Sequence, residues 1–173
     1  MKRYFLFLFL GMYVLMGCQM QPAETTSAPG EMGPGMGMGQ GMGMDPGMMA
    51  RHRAPIPEPY TGLTNPTPAG DESLTRGGDL YTLHCTSCHG DGGMGDGPAG
   101  QVLDPPAAPI AHTSQMVGDD YLFWRISEGG VPFGTAMPAW KGTLSEDEIW
   151  DLIHYLQALG KGQVQPRAHG GDE

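Results

Sequence analysis

Hydrophobic positions recur at helical spacing most clearly near the C-terminus. One face of the predicted helix carries Ile149, Leu152, Ile153, Leu156 and Leu159. Ser145 and Glu148 form an S-x-x-E capping box in front of this run. Gly160 follows it and is a suitable C-cap. The pattern predicts a last helix between Ser145 and Gly160.

Two further helices precede it. One is predicted to begin near Asp71–Ser73 and to lead into Cys85, and a middle helix spans about Asp119–Glu128 before Gly129-Gly130. Glycine and proline are frequent in residues 90–109 and 129–138, which predicts long loops, and no strand pattern is visible. We therefore expect an all-α domain of three to four helices over residues 71–161, with a polar tail at 162–173.

The N-terminus has the pattern of an export signal. Lys2 and Arg3 precede an apolar run, Tyr4 to Met16, which is shorter than the ~20 residues of a membrane span. The run ends in Leu-Met-Gly-Cys18, which resembles the lipobox of bacterial lipoproteins, where the cysteine becomes the lipid-carrying N-terminus. A plain signal peptide and an uncleaved anchor are the alternatives. We expect a signal peptide at 1–17 and a lipid on Cys18, which anchors an exported protein to the cell membrane or outer membrane, facing the periplasm or the cell exterior.

Residues 18–70 show no apolar periodicity, and residues 29–49 are low-complexity Gly/Met/Pro sequence. Five prolines between 55 and 68 favour extended backbone. This composition predicts a disordered tether. Thioethers select Cu(I), so copper binding is one interpretation of its methionines, and compositional drift in a linker is the other. The methionines are Met32, Met36, Met38, Met42, Met44, Met48 and Met49.

The formal charge of −10 argues against a nucleic-acid partner, because protein surfaces that bind nucleic acid are basic. It favours either attraction to a basic site on a protein partner or simple solubility.

The most specific motif is C-x-x-C-H, formed by Cys85, Cys88 and His89. It is typical of covalent c-type haem attachment. On one helical turn each thiol can form a thioether to a haem vinyl group, and the histidine is then placed beneath the iron as its proximal ligand. Zinc needs a second ligand pair that the sequence lacks, and a thioredoxin-like pair needs a βαβ setting. A disulfide between the two cysteines is the alternative state without haem, and Cys18 accounts for the odd cysteine count.

The sixth iron ligand decides between an electron carrier and a haem enzyme or gas sensor. Met94 is too close in sequence to the proximal histidine to reach the opposite haem face. His112 and Met116 have no distinguishing context, and His154 reads as a packing or surface residue of the last helix. Met137 lies in a Thr-Ala-Met-Pro loop before that helix. Separately, Arg125 is a candidate partner for the haem propionates, because Arg is well suited to carboxylates.

Residues 71–161 resemble the class I cytochromes c. Three features carry the resemblance: the C-x-x-C-H motif near the start of a small helical domain, the Met-Pro pair in a late loop, and the terminal amphipathic helix. Gly77 and Tyr81 match the positions on the first helix that cross Leu152 and Tyr155 on the last.

The resemblance implies an all-α fold around one covalent haem c, with His89 and Met137 as axial ligands. It further implies that the carbonyl of Pro105 or Pro106 accepts the N–H of the proximal imidazole.

We accordingly expect a membrane-anchored electron carrier rather than an enzyme. Its expected partners are a quinol-oxidising complex, other cytochromes and a terminal oxidase or reductase. The alternatives are a fixed subunit of a larger oxidoreductase and a lipoprotein that handles copper.

Overall fold

The computed structural model describes residues 46–167, which contain helices and no strand. The all-α prediction is therefore confirmed for this part of the chain. The elements are α1 (Pro46–His52), α2 (Asp71–His84), α3 (Thr86–His89), α4 (Ile110–Thr113), α5 (Asp119–Glu128), a 3-10 helix (Val131–Phe133) and α6 (Glu146–Gly160). The predicted signal peptide, Cys18 and the methionines up to Met44 lie outside the described residues. Between residues 46 and 167, no helix is both long and apolar enough to cross a membrane.

The first and last long helices, α2 and α6, form the centre of the fold. A Cβ atom on Gly77 would overlap the Asp151 carbonyl oxygen and lie 2.9 Å from Cβ of Tyr155, so only glycine allows this close crossing. The rings of Tyr81 and Tyr155 pack beside it with centroids 5.4 Å apart. This is the helix crossing that the family resemblance implied.

Helix α6 begins with the predicted capping box. The Glu148 N–H donates to Ser145 Oγ at 3.3 Å, and the Ser145 N–H donates to Glu148 Oε2 at 2.8 Å. The helix includes Gly160, and its C-cap is Lys161. It therefore ends one residue later than Gly160 indicated.

A polar network joins α2 to α6 away from the apolar core. Arg76 donates to both oxygens of the buried Asp151, at 2.6 and 3.1 Å. Burial acts to raise the pKa of Asp151, but the hydrogen bonds from Arg76 and Ser73 outweigh it and hold that pKa below its usual value. Ser73 Oγ also hydrogen-bonds His154 Nδ1 at 2.9 Å. Sequence periodicity did not indicate this network.

Residues 54–70, which we expected to continue the extended tether, contact the helical domain instead. Tyr60 packs against the core and donates its hydroxyl to Glu128 at 2.5 Å. The Asn65 side chain donates to the Trp150 carbonyl at 3.1 Å, and its backbone N–H donates to Asp119 at 3.0 Å. A proline-rich segment has no periodicity to signal such packing. One aromatic ring and a few backbone donors are enough to hold it against α5 and α6.

Candidate haem site

A cavity of about 280 Å³ lies between the attachment motif, α5, α6 and the loops around them. Its wall is mainly aliphatic and includes Leu103, Ile110, Leu122, Ile126, Leu152 and Leu156. An apolar cavity is suited to a flat hydrophobic ligand with few polar groups.

The three residues of the C-x-x-C-H motif lie on one turn at the edge of this cavity. Cys85 is the N-cap of α3, and its carbonyl accepts the His89 N–H at 2.8 Å, so the turn brings Cys88 and His89 to the same side. Both cysteines are free thiols rather than a disulfide. Burial, with a smaller effect from Cys88, raises the pKa of Cys85 to about 12. Its sulfur is therefore a protonated thiol facing the cavity.

The ring of His89 is held in one tautomer. Its Nδ1 lies 2.9 Å from the Ala108 carbonyl oxygen. Because a carbonyl can only accept, Nδ1 carries the proton and Nε2 keeps its lone pair. Burial lowers the pKa of His89 despite the opposing effect of this hydrogen bond. A neutral imidazole with a free Nε2 is the form that binds a metal.

The acceptor of this imidazole corrects one prediction. We expected Pro105 or Pro106, and the structure has Ala108; the two prolines line the cavity wall instead. The Ala107 N–H donates a hydrogen bond to the Gly100 carbonyl at 3.1 Å. This turn of the chain brings the Ala108 carbonyl to the imidazole. Backbone geometry of this kind cannot be read from residue type.

Two glycines let the loop after the motif lie directly on α3. A Cβ on Gly97 would be 2.7 Å from the Cys88 carbonyl carbon, and one on Gly100 would be 2.8 Å from the same atom. The Ala99 N–H donates to the Ser87 carbonyl at 3.0 Å. This contact fixes the loop that carries the acceptor of the proximal imidazole.

Among the five predicted candidates for a sixth ligand, Met137 is the one that lines the cavity. Met94 and Met116 are 51% and 46% exposed, and His112 is exposed. His154 is buried in the network between α2 and α6.

The loop that carries Met137 is fastened to the end of α5. The Met137 carbonyl accepts the Gly130 N–H at 2.8 Å, and the Trp140 N–H donates to the Ile126 carbonyl at 3.1 Å. A Cβ on Gly129 would lie 2.6 Å from the Met137 carbonyl oxygen. The glycine pair that ends α5 thus allows the loop to fold back and bring Met137 to the cavity.

Arg125, which the sequence offered as a candidate propionate partner, also lines the cavity. Its guanidinium lies over the Phe133 ring at 4.4 Å and the Trp124 ring at 5.6 Å. One terminal nitrogen is buried without a hydrogen-bond partner. Burial lowers the pKa of this group, and an unpaired buried donor is costly. A carboxylate from a ligand would satisfy it, so the site fits a haem, which carries two propionates.

Sequence reasoning missed the contribution of α1. Three of its residues, Met48, Arg51 and His52, line the cavity. His52 Nε2 lies 3.5 Å from Thr113 Oγ1, and its ring meets Tyr121 edge-on at 5.9 Å. Pro46 at the first helical position was the one local signal for this helix. A seven-residue helix is too short to produce a periodic pattern.

Comparison with known proteins agrees with this geometry. A family model described as cytochrome c oxidase, cbb3-type, subunit III, matches residues 72–156. Cytochrome c6 of Euglena gracilis is 31% identical over 86 residues, which cover 50% of this chain and 92% of that protein. The chain belongs to the class I cytochromes c. The family predicted from the sequence is thus confirmed, with one covalent haem c as its cofactor.

Larger proteins contain similar regions. A cbb3-type cytochrome c oxidase subunit FixP of Bradyrhizobium diazoefficiens is 31% identical over 100 residues, covering 57% of this chain and 31% of that protein. Thiosulfate dehydrogenase of Stutzerimonas stutzeri is 28% identical over 104 residues, with 57% and 31% covered. The chain thus spans about a third of the length of these two relatives.

Proposed function

We propose that this cytochrome carries single electrons between redox proteins outside the cytoplasm. In this proposal Cys85 and Cys88 hold the haem covalently, and His89 and Met137 are its axial ligands. When bound, the haem supplies a one-electron couple at its iron. The observation that carries the proposal is the shared cavity: an imidazole with a free Nε2 and a thioether line the same apolar space.

In this proposal the two cysteines attach the haem by addition of their thiols to its vinyl groups. Each thiol would add across a haem vinyl group, so that the S–H bond and the vinyl π bond would be replaced by a C–S bond and a C–H bond, and no oxidant would be consumed. The protonated state of Cys85 matches this requirement. Cys85 lies one helical turn before His89, and Cys88 directly precedes it.

The remaining residues keep the coordination unchanged during electron transfer. Ala108 orients the proximal imidazole through Nδ1, and the hydrogen bonds of the 129–140 loop restrain Met137. With His89 and Met137 both bound to the iron, no position would remain for a substrate or for oxygen. A thioether opposite an imidazole raises the potential relative to two nitrogen ligands.

The decisive experiment replaces Met137 by Ala in haem-loaded protein and adds carbon monoxide to the reduced form. We expect an open coordination position that binds carbon monoxide, whereas the unchanged protein does not. Met94→Ala is the matched control, because the Met94 side chain is exposed and does not line the cavity. Carbon monoxide binding by the unchanged protein would contradict axial ligation by Met137. Met48→Ala tests the other methionine that lines the cavity. Carbon monoxide binding by that variant alone would identify Met48 rather than Met137 as the ligand.

We propose a terminal oxidase or reductase as electron acceptor, and a quinol-oxidising complex or another cytochrome as donor. The match to a cbb3-type oxidase subunit model supports an oxidase partner. The formal charge of −10 predicts faster transfer to a basic partner at low ionic strength. A fixed subunit predicts instead that the cytochrome stays with its complex in high salt, so purification of the detergent-solubilised complex at low and high salt separates these two arrangements.

We further propose that residues 1–17 are an export signal and that Cys18 carries the lipid. The Leu-Met-Gly-Cys sequence at 15–18 supports this. Cys18→Ser should release the haem protein from washed membranes into the soluble fraction, and the unchanged protein should stay bound. An equal membrane fraction for both would contradict a lipid anchor at this residue.

A second candidate function is Cu(I) binding by the methionine-rich segment, favoured by its M-x-M spacing. Because α1 begins at Pro46 and lines the haem cavity, a clean test deletes residues 32–44 alone. Loss of Cu(I) affinity with an unchanged haem spectrum supports this function. Unchanged Cu(I) affinity contradicts it.

A further inference from the structure

Glu128, the last residue of α5, connects three separate parts of the chain. Its carboxylate accepts a hydrogen bond from the Tyr60 hydroxyl at 2.5 Å. The same carboxylate accepts from the Lys141 ammonium, which lies 2.8 Å from each of its two oxygens. Tyr60 belongs to the segment 54–70, and Lys141 belongs to the loop that follows Met137. One side chain therefore joins that segment, the end of α5 and the loop of the proposed axial ligand.

The backbone on either side of Glu128 holds both ends of this loop. The Gly130 N–H donates to the Met137 carbonyl at 2.8 Å. The Ser127 carbonyl accepts from the Lys141 N–H at 3.2 Å. The residue before Glu128 and the second residue after it are thus backbone anchors of the loop. A contact that fixes the Glu128 side chain consequently restrains Met137 as well.

The Tyr60 phenol distinguishes this contact from an ordinary surface ion pair. The side chains of Lys141 and Glu128 are 58% and 28% exposed, and an exposed ion pair alone contributes little to stability. Tyr60 packs against the core, with its ring centroid 6.2 Å from that of Phe123. Burial is the main cause that raises the pKa of Tyr60 to about 12, and the hydrogen bond to Glu128 adds to it. The phenol is therefore a neutral, packed donor that holds the carboxylate in one position.

We propose that Tyr60 is a positioning residue for Met137, acting through Glu128 and the loop between them. This inference rests on the proposed haem site, and it gives a role to a segment outside the family match at 72–156. A loop that is already ordered loses less conformational entropy when its thioether binds a metal. Loss of the Tyr60 hydroxyl should therefore make the thioether easier to displace, while every proposed ligand stays in the chain.

The test is a titration of oxidised, haem-loaded, full-length protein with imidazole, followed by the loss of the far-red methionine–iron band. Imidazole competes with the thioether, so a less restrained loop is displaced at a lower imidazole concentration. We expect Tyr60→Phe to lower the half-saturating concentration about tenfold, close to the lower limit for a hydrogen bond to a charged group. This variant keeps the ring that packs against Phe123, and circular dichroism checks that its fold is unchanged.

Thr61→Val is the matched control. It removes a neighbouring hydroxyl whose hydrogen bond, to the Ile56 carbonyl at 2.7 Å, stays within the same segment. We expect it to change the half-saturating imidazole concentration less than about twofold, as is usual for a surface substitution.

Glu128→Gln and the double variant with Tyr60→Phe test whether the tyrosine acts through the carboxylate. Glu128→Gln keeps the shape of the side chain and removes its charge, so it should ease displacement at least as much as Tyr60→Phe does. Because two residues in one hydrogen-bond network are coupled, Tyr60→Phe should have a smaller effect in the Glu128→Gln background than it has alone.

An unchanged imidazole affinity in Tyr60→Phe, or equal shifts in Tyr60→Phe and Thr61→Val, would overturn the proposal. A full effect of Tyr60→Phe in the Glu128→Gln background would also overturn it, since the tyrosine would then act by another route. The spectrum of the unchanged protein is recorded first. Absence of the far-red band there would refute methionine ligation and this proposal with it, whereas a normal band with no Tyr60 effect would refute only the role of Tyr60.

Discussion

Replacement of Gly129 by Ala tests how the end of α5 holds the candidate ligand loop. Gly129 has φ 67° and ψ −148°, a region essentially restricted to glycine. A Cβ there would lie 2.5 Å from the Pro138 carbonyl carbon and 2.6 Å from the Met137 carbonyl oxygen. The nearest atoms are backbone, so the loop itself must move.

The size of the effect follows from two contributions. A backbone forced into a glycine-only region costs about 1–3 kcal/mol, and an overpacked contact costs about 1–3 kcal/mol more. We expect the free energy of unfolding to fall by about 4 kcal/mol. Gly134 offers a control in the same loop, with φ 64°, ψ 30° and nothing within 4 Å of its Cβ position. Gly134→Ala should cost about 1 kcal/mol, the ordinary penalty of a left-handed residue.

Both variants would be loaded with haem and unfolded in denaturant, with circular dichroism as the measure of folding and the optical spectrum as the measure of ligation. The far-red band of methionine-ligated ferric haem should weaken in Gly129→Ala and persist in Gly134→Ala. Equal stability losses in the two variants, or an unchanged far-red band in Gly129→Ala, would refute the argument that this glycine positions Met137.

Two further predictions concern the crossing of α2 and α6. Gly77→Ala should lower the free energy of unfolding by about 3 kcal/mol, because its Cβ meets the Asp151 backbone. The control is Gly70→Ala, since nothing lies within 4 Å of a Cβ at Gly70. Equal losses of unfolding free energy in the two variants, measured in denaturant, would contradict the close crossing. Arg76→Gln should lower the melting temperature at pH 7, since the lowered pKa of Asp151 means that the ion pair stabilises the fold above the unfolded carboxyl pKa of about 3.9. That stability is lost as the pH falls through the lower pKa that Asp151 has in the folded protein. The melting temperatures of Arg76→Gln and the unchanged protein should therefore converge in acid. A difference in melting temperature that stays constant down to that pH would contradict a stabilising ion pair between Arg76 and Asp151.

The parts of the fold with local signals could be predicted from the sequence. Helix α5 has the predicted bounds, Asp119–Glu128, because two glycines end it. The capping box at Ser145 lies within four residues of chain and needs no tertiary contact to be recognised. The attachment motif is equally local, and the structure brings its three residues to one cavity edge.

What sequence reasoning missed depends on contacts between distant segments. Helix α1 has no periodic pattern. Its residues become part of the cavity wall only when folding brings them to the same cavity as residues of α5. The imidazole acceptor is Ala108 rather than a proline because a backbone turn decides it. Asp151 has no local signal of burial, and the crossing at Gly77 buries it against α2.

The proposed electron transfer depends on a covalent haem with His89 and Met137 as axial ligands. The most direct measurement is the optical spectrum, oxidised and reduced, of the full-length protein exported with a c-type maturation system. We expect a sharp low-spin α-band in the reduced form and a weak far-red methionine–iron band in the oxidised form. A high-spin spectrum that shifts with carbon monoxide, or the absence of covalently bound haem, would contradict it.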